Sequence, residues 1–102
     1  DLIFTSGQIP IDPATNTLVS GGIGEQATQS LRNLQAVLTE AGSSLSDAVK
    51  VTVFVKNMDD FAKLNEIYGS FFTEPYPARS CVEVARLPKD VLVEIEIVAL
   101  AK

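Results

Sequence analysis

The residue types able to do chemistry gather late in the chain. Arg79, Cys81 and Glu83 alternate through Arg79-Ser80-Cys81-Val82-Glu83-Val84-Ala85-Arg86, and Glu94 and Glu96 interrupt the apolar run Val91–Ala101. A guanidinium offers a planar fork of N–H donors that suits a carboxylate held bidentately. Arg79 follows Pro77-Ala78 and opens its strand, where a side chain reaches a cleft. Spacing alone leaves it open between that clamp and a surface arginine paired with an acid. A carboxylate inside an apolar run is costly unless it is paired or functional. Glu94 therefore fits either a water-holding proton carrier or a solvent- or subunit-facing acid, and Glu96 shares its parity. Cys81 fits a small buried packing residue that lines a pocket better than a nucleophile. Near the start, Ser6-Gly7 offers a hydroxyl and an unhindered backbone N–H, or simply a strand end where glycine permits a turn.

Composition narrows these options. The 102 residues include no His, so Ser-His-Asp and Cys-His catalysis and histidine zinc sites are excluded. Any general acid or base must be Asp, Glu, Lys, Tyr, Cys or backbone. The only cysteine cannot form an internal disulfide and gives no sign of an oxidising compartment. Eight Lys and Arg against thirteen Asp and Glu give a net charge of −5, which disfavours nucleic acid as a partner. No apolar run approaches the roughly 18 residues of a membrane span. Gly21-Gly22-Ile23-Gly24 is not a dinucleotide-binding loop.

The elements that must position these groups are legible as periodicities. Ala27, Leu31, Leu34, Leu38 and Ala41 step by four and three, the stripe of a helix that Gly42 stops. Val49, Val51, Val53 and Val55 alternate with Lys50, Thr52, Phe54 and Lys56, as in a strand with one buried face. Asn57 or Asp59 caps a second helix with Phe61, Leu64, Tyr68, Phe71 and Phe72 inward, ended by Pro75 and Pro77. Two strands follow, Arg79–Arg86 and the central run from Val91. Upstream, Asp12-Pro13-Ala14-Thr15-Asn16 is a turn between a strand at Leu2–Thr5 and an extended piece near Leu18-Val19, and the glycines from Gly21 to Gly24 precede the first helix. This order predicts one domain over residues 1–102, an α+β fold with two helices on one face of a single sheet. The abrupt start at Asp1 implies further residues upstream.

The long signature Pro77-Ala78-Arg79-Ser80-Cys81-Val82-Glu83-Val84-Ala85-Arg86-Leu87-Pro88-Lys89-Asp90-Val91, followed by Val93-Glu94-Ile95-Glu96, resembles the Rid (reactive intermediate deaminase, YjgF-like) family and most closely its RidA subgroup. Phe4-Thr5-Ser6-Gly7-Gln8-Ile9-Pro10 and Val49–Val55 match as well. The resemblance implies a chorismate-mutase-like protomer with a mixed sheet, assembled as a homotrimer with clefts between subunits. It implies hydrolysis of 2-imino acids, the tautomers of enamines released by pyridoxal-phosphate enzymes, to 2-oxo acids and ammonia, without cofactor or metal. Arg79 then matches the carboxylate clamp and Glu94 the residue that activates water. Cys81 lines the pocket with its carbonyl toward the imine nitrogen, Ser6 and Gly7 border the cleft, and Asn65 lies near it. The resemblance places Arg79 and Glu94 on adjacent late strands facing one crevice between protomers. The family's upstream G-P-Y-S-Q-like segment, whose Tyr closes the cleft, is absent, and the Phe72-to-Pro77 connection is short. A non-catalytic carboxylate-binding or chaperone-like trimer is the alternative. The expected compartment is the cytoplasm or the mitochondrial matrix, with no membrane partner.

Overall fold

A computed structural model describes residues 1–102. The first apolar stripe forms α1 (Ile23–Glu40), which buries Ile23, Ala27, Leu31, Leu34 and Leu38. The helix begins one residue before the glycine-rich stretch was expected to end, so Gly24 lies inside its first turn. Glu25 sets that start, because its Oε1 accepts from the Gly22 N–H at 3.0 Å. At the other end Gly42 takes φ +81°, and the N–H of Ser43 reaches back to the Leu38 carbonyl at 2.8 Å. That left-handed residue closes α1 because no Cβ opposes it.

Upstream lie β1 (Leu2–Phe4), β2 (Ile11–Asp12) and β3 (Thr17–Leu18). The predicted turn over Asp12–Asn16 is present, with Asp12 Oδ1 accepting from the Ala14 N–H at 2.9 Å. It joins β2 to β3 as a small separate hairpin, not β1 to a later strand. Asn33 on α1 anchors the hairpin by donating to the Ile11 carbonyl at 2.8 Å.

Alternation after α1 forms β4 (Ala48–Val55), which buries Val51, Val53 and Val55. The Asn57 side chain accepts from the Asp59 N–H and caps a short 3-10 turn that leads into α2 (Phe61–Phe71). There follow β5 (Ala78–Glu83), shorter than the stretch to Arg86 predicted, and β6 (Val93–Leu100). The main sheet runs β1-β6-β4-β5. It is mixed: β4 and β5 are parallel, while β6 is antiparallel to both β4 and β1. A parallel pair needs a crossover, and α2 supplies it.

Both helices cover one face of this sheet. Val93, Ile95, Ile97 and Ala99 of β6 join the β4 valines and the α1 leucines in one core. The opposite face carries Lys50, Thr52, Phe54, Ser80, Val82, Glu94, Glu96 and Val98, and no element of the chain covers it. The expected α+β layer is therefore present, with a two-stranded hairpin added beside the main sheet.

Candidate active site

Parity along β5 decides where Arg79 points. Arg79 pairs with Val51 and Cys81 with Val53 across the parallel ladder, so both side chains lie on the helix-covered face. Arg79 Nη1 donates to Asn65 Oδ1 at 2.6 Å. Its guanidinium carbon lies 4.7 Å from the centre of the Tyr68 ring and 5.4 Å from that of Phe61. Phe61, Asn65 and Tyr68 step by four and three along α2, which puts them on one stripe under the cation. Tyr68 in turn stacks on Phe72, ring centres 4.5 Å apart. Arg79 makes no ion pair within the chain, which removes the reading of a surface arginine matched to an acid.

Cys81 is half-buried beside this group. Burial pushes its thiol pKa up and the Arg79 charge only partly opposes that, so the neutral thiol is the form present near neutrality. A neutral thiol is a poor nucleophile, which agrees with a pocket-lining role.

Glu94 belongs to a different place. It pairs with Phe54 across β4 and projects from the open face. Its carboxylate lies directly against Gly7, where an added Cβ would overlap the carboxylate oxygen. Gly7 is thus small to admit Glu94; its backbone φ is not in the left-handed region, so the turn reading does not explain it. The strand-like segment around it is clipped to β6 by Gln8 N–H to the Ile95 carbonyl at 2.8 Å and Ile95 N–H to the Gln8 carbonyl at 3.2 Å. Thr5 Oγ1 also accepts from the Ile97 N–H at 2.9 Å. Ser6 sits exposed beside Gly7. Glu96 lies on the same open face, opposite Thr52.

Two clusters result where one was expected. Arg79, Cys81 and Asn65 come together on the helix side; Glu94, Gly7 and Ser6 come together on the other. The placement of Arg79 and Glu94 on adjacent strands is corrected: β4 lies between β5 and β6, and the two side chains leave opposite faces of the sheet. The reason is topological, because the α2 crossover puts β5 on one flank of β4 and β6 returns on the other. The three surface grooves, of about 460 to 550 Å³, enclose neither Arg79 nor Glu94. Sequence reasoning assigned Phe61 and Tyr68 to the core stripe, but Phe61 remains 37% exposed and serves the guanidinium instead. The 61/65/68 spacing was the available signal.

The family profile described as "Endoribonuclease L-PSP" matches residues 1–101. The chain belongs to this family, the Rid (YjgF-like) proteins. A RutC family protein of Pyrococcus abyssi is 56% identical over 97% of this chain and 78% of its own length. The 2-iminobutanoate/2-iminopropanoate deaminase of Salmonella typhimurium is 53% identical over 99% of the chain and 80% of its own length. The crystal structure of Escherichia coli TdcF with bound serine superposes with a TM-score of 0.92 at 48% identity, covering 99% of this chain and 81% of that one. The Rid assignment thus accounts for the whole described chain, and its α+β fold is that of solved family members.

Proposed function

We propose that the chain hydrolyses small 2-imino acids of the 2-iminobutanoate/2-iminopropanoate class to 2-oxo acids and ammonia. The observation that carries this reading is Arg79: a guanidinium oriented by three α2 side chains yet free of any carboxylate. A small carboxylate completes it. The deaminase name carried by a relative 53% identical supports the reaction, and serine bound to TdcF supports a small amino-acid-like ligand.

Because Arg79 and Glu94 leave opposite faces, one copy cannot offer both to one substrate. The site is therefore shared between two copies of a homotrimer, Arg79 from one and Glu94 from its neighbour. The exposed apolar side chains of the open face, Leu2, Phe4, Val82 and Leu100, support such an association. A 102-residue chain also gains core by assembling.

In the cleft Arg79 holds the substrate carboxylate and fixes the C2 carbon, replacing a random encounter with a positioned one. Glu94 accepts a proton as water adds to C2 of the protonated imine, giving a 2-amino-2-hydroxy acid. Glu94 then returns that proton to nitrogen, the C–N bond breaks as ammonia leaves, and Glu94 takes the hydroxyl proton as the ketone forms and passes it to the departing ammonia, which leaves as ammonium. Water supplies the oxygen, and no electron transfer is needed. Cys81 lines the pocket through its backbone and neutral thiol. Asn65, Ser6 and Gly7 shape the walls.

Mixing two inactive variants tests both the reaction and the shared site. R79A and E94Q should each lose hydrolysis of freshly generated 2-iminobutanoate. Unfolded and refolded together in equal amounts, random trimers should regain about one quarter of wild-type activity, since half the Arg donors and half the Glu donors are intact. No recovery from well-formed mixed trimers would sink the shared site. An R79A protein as active as wild type would sink the reaction assignment.

A second reading rests on the bound serine in TdcF: a trimer that binds small carboxylates without turning them over. It predicts Arg79-dependent binding with an inert E94Q change. An RNA-cleaving role, after the family profile's description, sits poorly with the −5 charge and the absence of His.

A further inference from the structure

We propose that Phe61 and Tyr68 are positioning residues that set carboxylate affinity by holding the Arg79 guanidinium between their ring faces and Asn65; this deepens, and rests on, the carboxylate-clamp reading of Arg79. Four observations converge on it. The guanidinium carbon is within cation–π range of both rings, at 4.7 and 5.4 Å. The rings and Asn65 share one helical stripe, so a single rigid element sets all three contacts. Tyr68 is braced by its stack on Phe72, which is buried in the core. The only side-chain hydrogen bond of Arg79 runs from Nη1 to Asn65.

The division of labour follows from geometry. Ring faces attract the cation without consuming its in-plane N–H donors, because the attraction acts on the π face. Asn65 takes one donor and fixes rotation of the fork. The remaining N–H groups stay available to two carboxylate oxygens. A long arginine side chain otherwise loses much rotamer freedom on binding, and prior immobilisation removes that cost from the binding step.

The Tyr68 hydroxyl plays no part in this. It is buried, accepts and donates no hydrogen bond, and its pKa is pushed up by burial, only partly opposed by the Arg79 charge. The ring, rather than the phenol, is the functional part, which separates this proposal from acid catalysis by Tyr68.

The test measures binding of 2-oxobutanoate, the product carboxylate, and of its methyl ester by calorimetry on the assembled wild type, F61L, Y68L, Y68F and R79A, together with KM and kcat on 2-iminobutanoate. F61L and Y68L should each weaken 2-oxobutanoate about 3- to 10-fold, leave the ester unaffected, and raise KM with kcat within about twofold. Y68F should restore wild-type affinity and KM. If R79A loses the carboxylate while F61L and Y68L keep it, the aromatic shelf is rejected and the clamp stands. If Y68F binds as poorly as Y68L, the ring is not the agent and the proposal fails. If R79A binds 2-oxobutanoate normally, the clamp itself falls. Should Y68L fail to fold, F61L decides alone, because the half-exposed Phe61 carries little of the core.

Discussion

The two faces of the main sheet differ in how finished they are. On the helix side, Arg79 is fully provided for: Asn65 meets its Nη1, two rings meet its faces, and Phe72 stacks on one of those rings. On the open side, Glu94 has only the vacant space at Gly7 behind it, and Phe4 beside the same sheet stands 73% exposed. A side chain needing several fixed neighbours is served by its own core. Glu94 would gain its remaining neighbours only from a second copy, as in the proposed shared site. The contrast fits the proposed shared site, in which folding orients Arg79 and assembly would exclude water from Glu94.

Changes on the open face should break this comparison hardest. E94Q removes the proton carrier and should lower kcat by about 10²- to 10⁴-fold with KM and melting temperature nearly unchanged; steady-state kinetics and calorimetry check it. G7A places a Cβ where the Glu94 carboxylate lies, so that carboxylate must swing away. Its kcat should fall at least about 10-fold, while G7S, equally obstructive, should behave alike; full activity in G7A would show that the Gly7 contact has no bearing on the reaction. F4E puts charge on the open face and should shift the assembly toward lower mass in sedimentation, with far-ultraviolet circular dichroism of the subunit retained. The smallest effect belongs to the helix side: C81A should keep activity within about threefold, because a neutral thiol contributes packing rather than nucleophilicity. The same raised thiol pKa has a definite sign. The thiolate is scarce at pH 7 to 8 and appears only above the ordinary thiol range, so iodoacetamide labelling of the folded protein should lag that of a free cysteine peptide across that interval.

Much of the scaffold was legible because burial imposes a period. The four-three steps of α1 and the alternation of β4 each need one dry face, and they name Ala27, Leu31, Leu34, Leu38, Val51, Val53 and Val55 as inward. Ala41 just past the end of α1 and Val49 at the β4 bulge were expected inward and are exposed, because the pattern does not show where an element ends or its ladder slips. The Gly42 stop was legible because only glycine takes its positive φ without penalty. Asn57 does cap, but it caps the 3-10 turn before α2, whose own start at Asp60 has no side-chain cap. What failed was relational. Parity tells which residues of β5 share a side, but only the ladder with β4 tells which side that is, and no local pattern encodes it. Arg79 and Glu94 were therefore recognisable one by one and misplaced as neighbours. The β2–β3 hairpin was missed because two-residue strands have no measurable period. Gly7 was underestimated because its constraint comes from Glu94, which lies far along the sequence.

The separation of guanidinium and carboxylate by the thickness of a sheet has a kinetic corollary. If the site is shared as proposed, a lone folded protomer carries both groups but cannot bring them to one substrate, and it is expected to be inactive. Specific activity should then fall upon dilution with a steeper than linear loss of total rate, and the onset of that loss would report the dissociation constant of the assembly. On the proposed shared site, turnover would scale with the fraction of chain that is assembled, so the amount of chain made would set it by mass action.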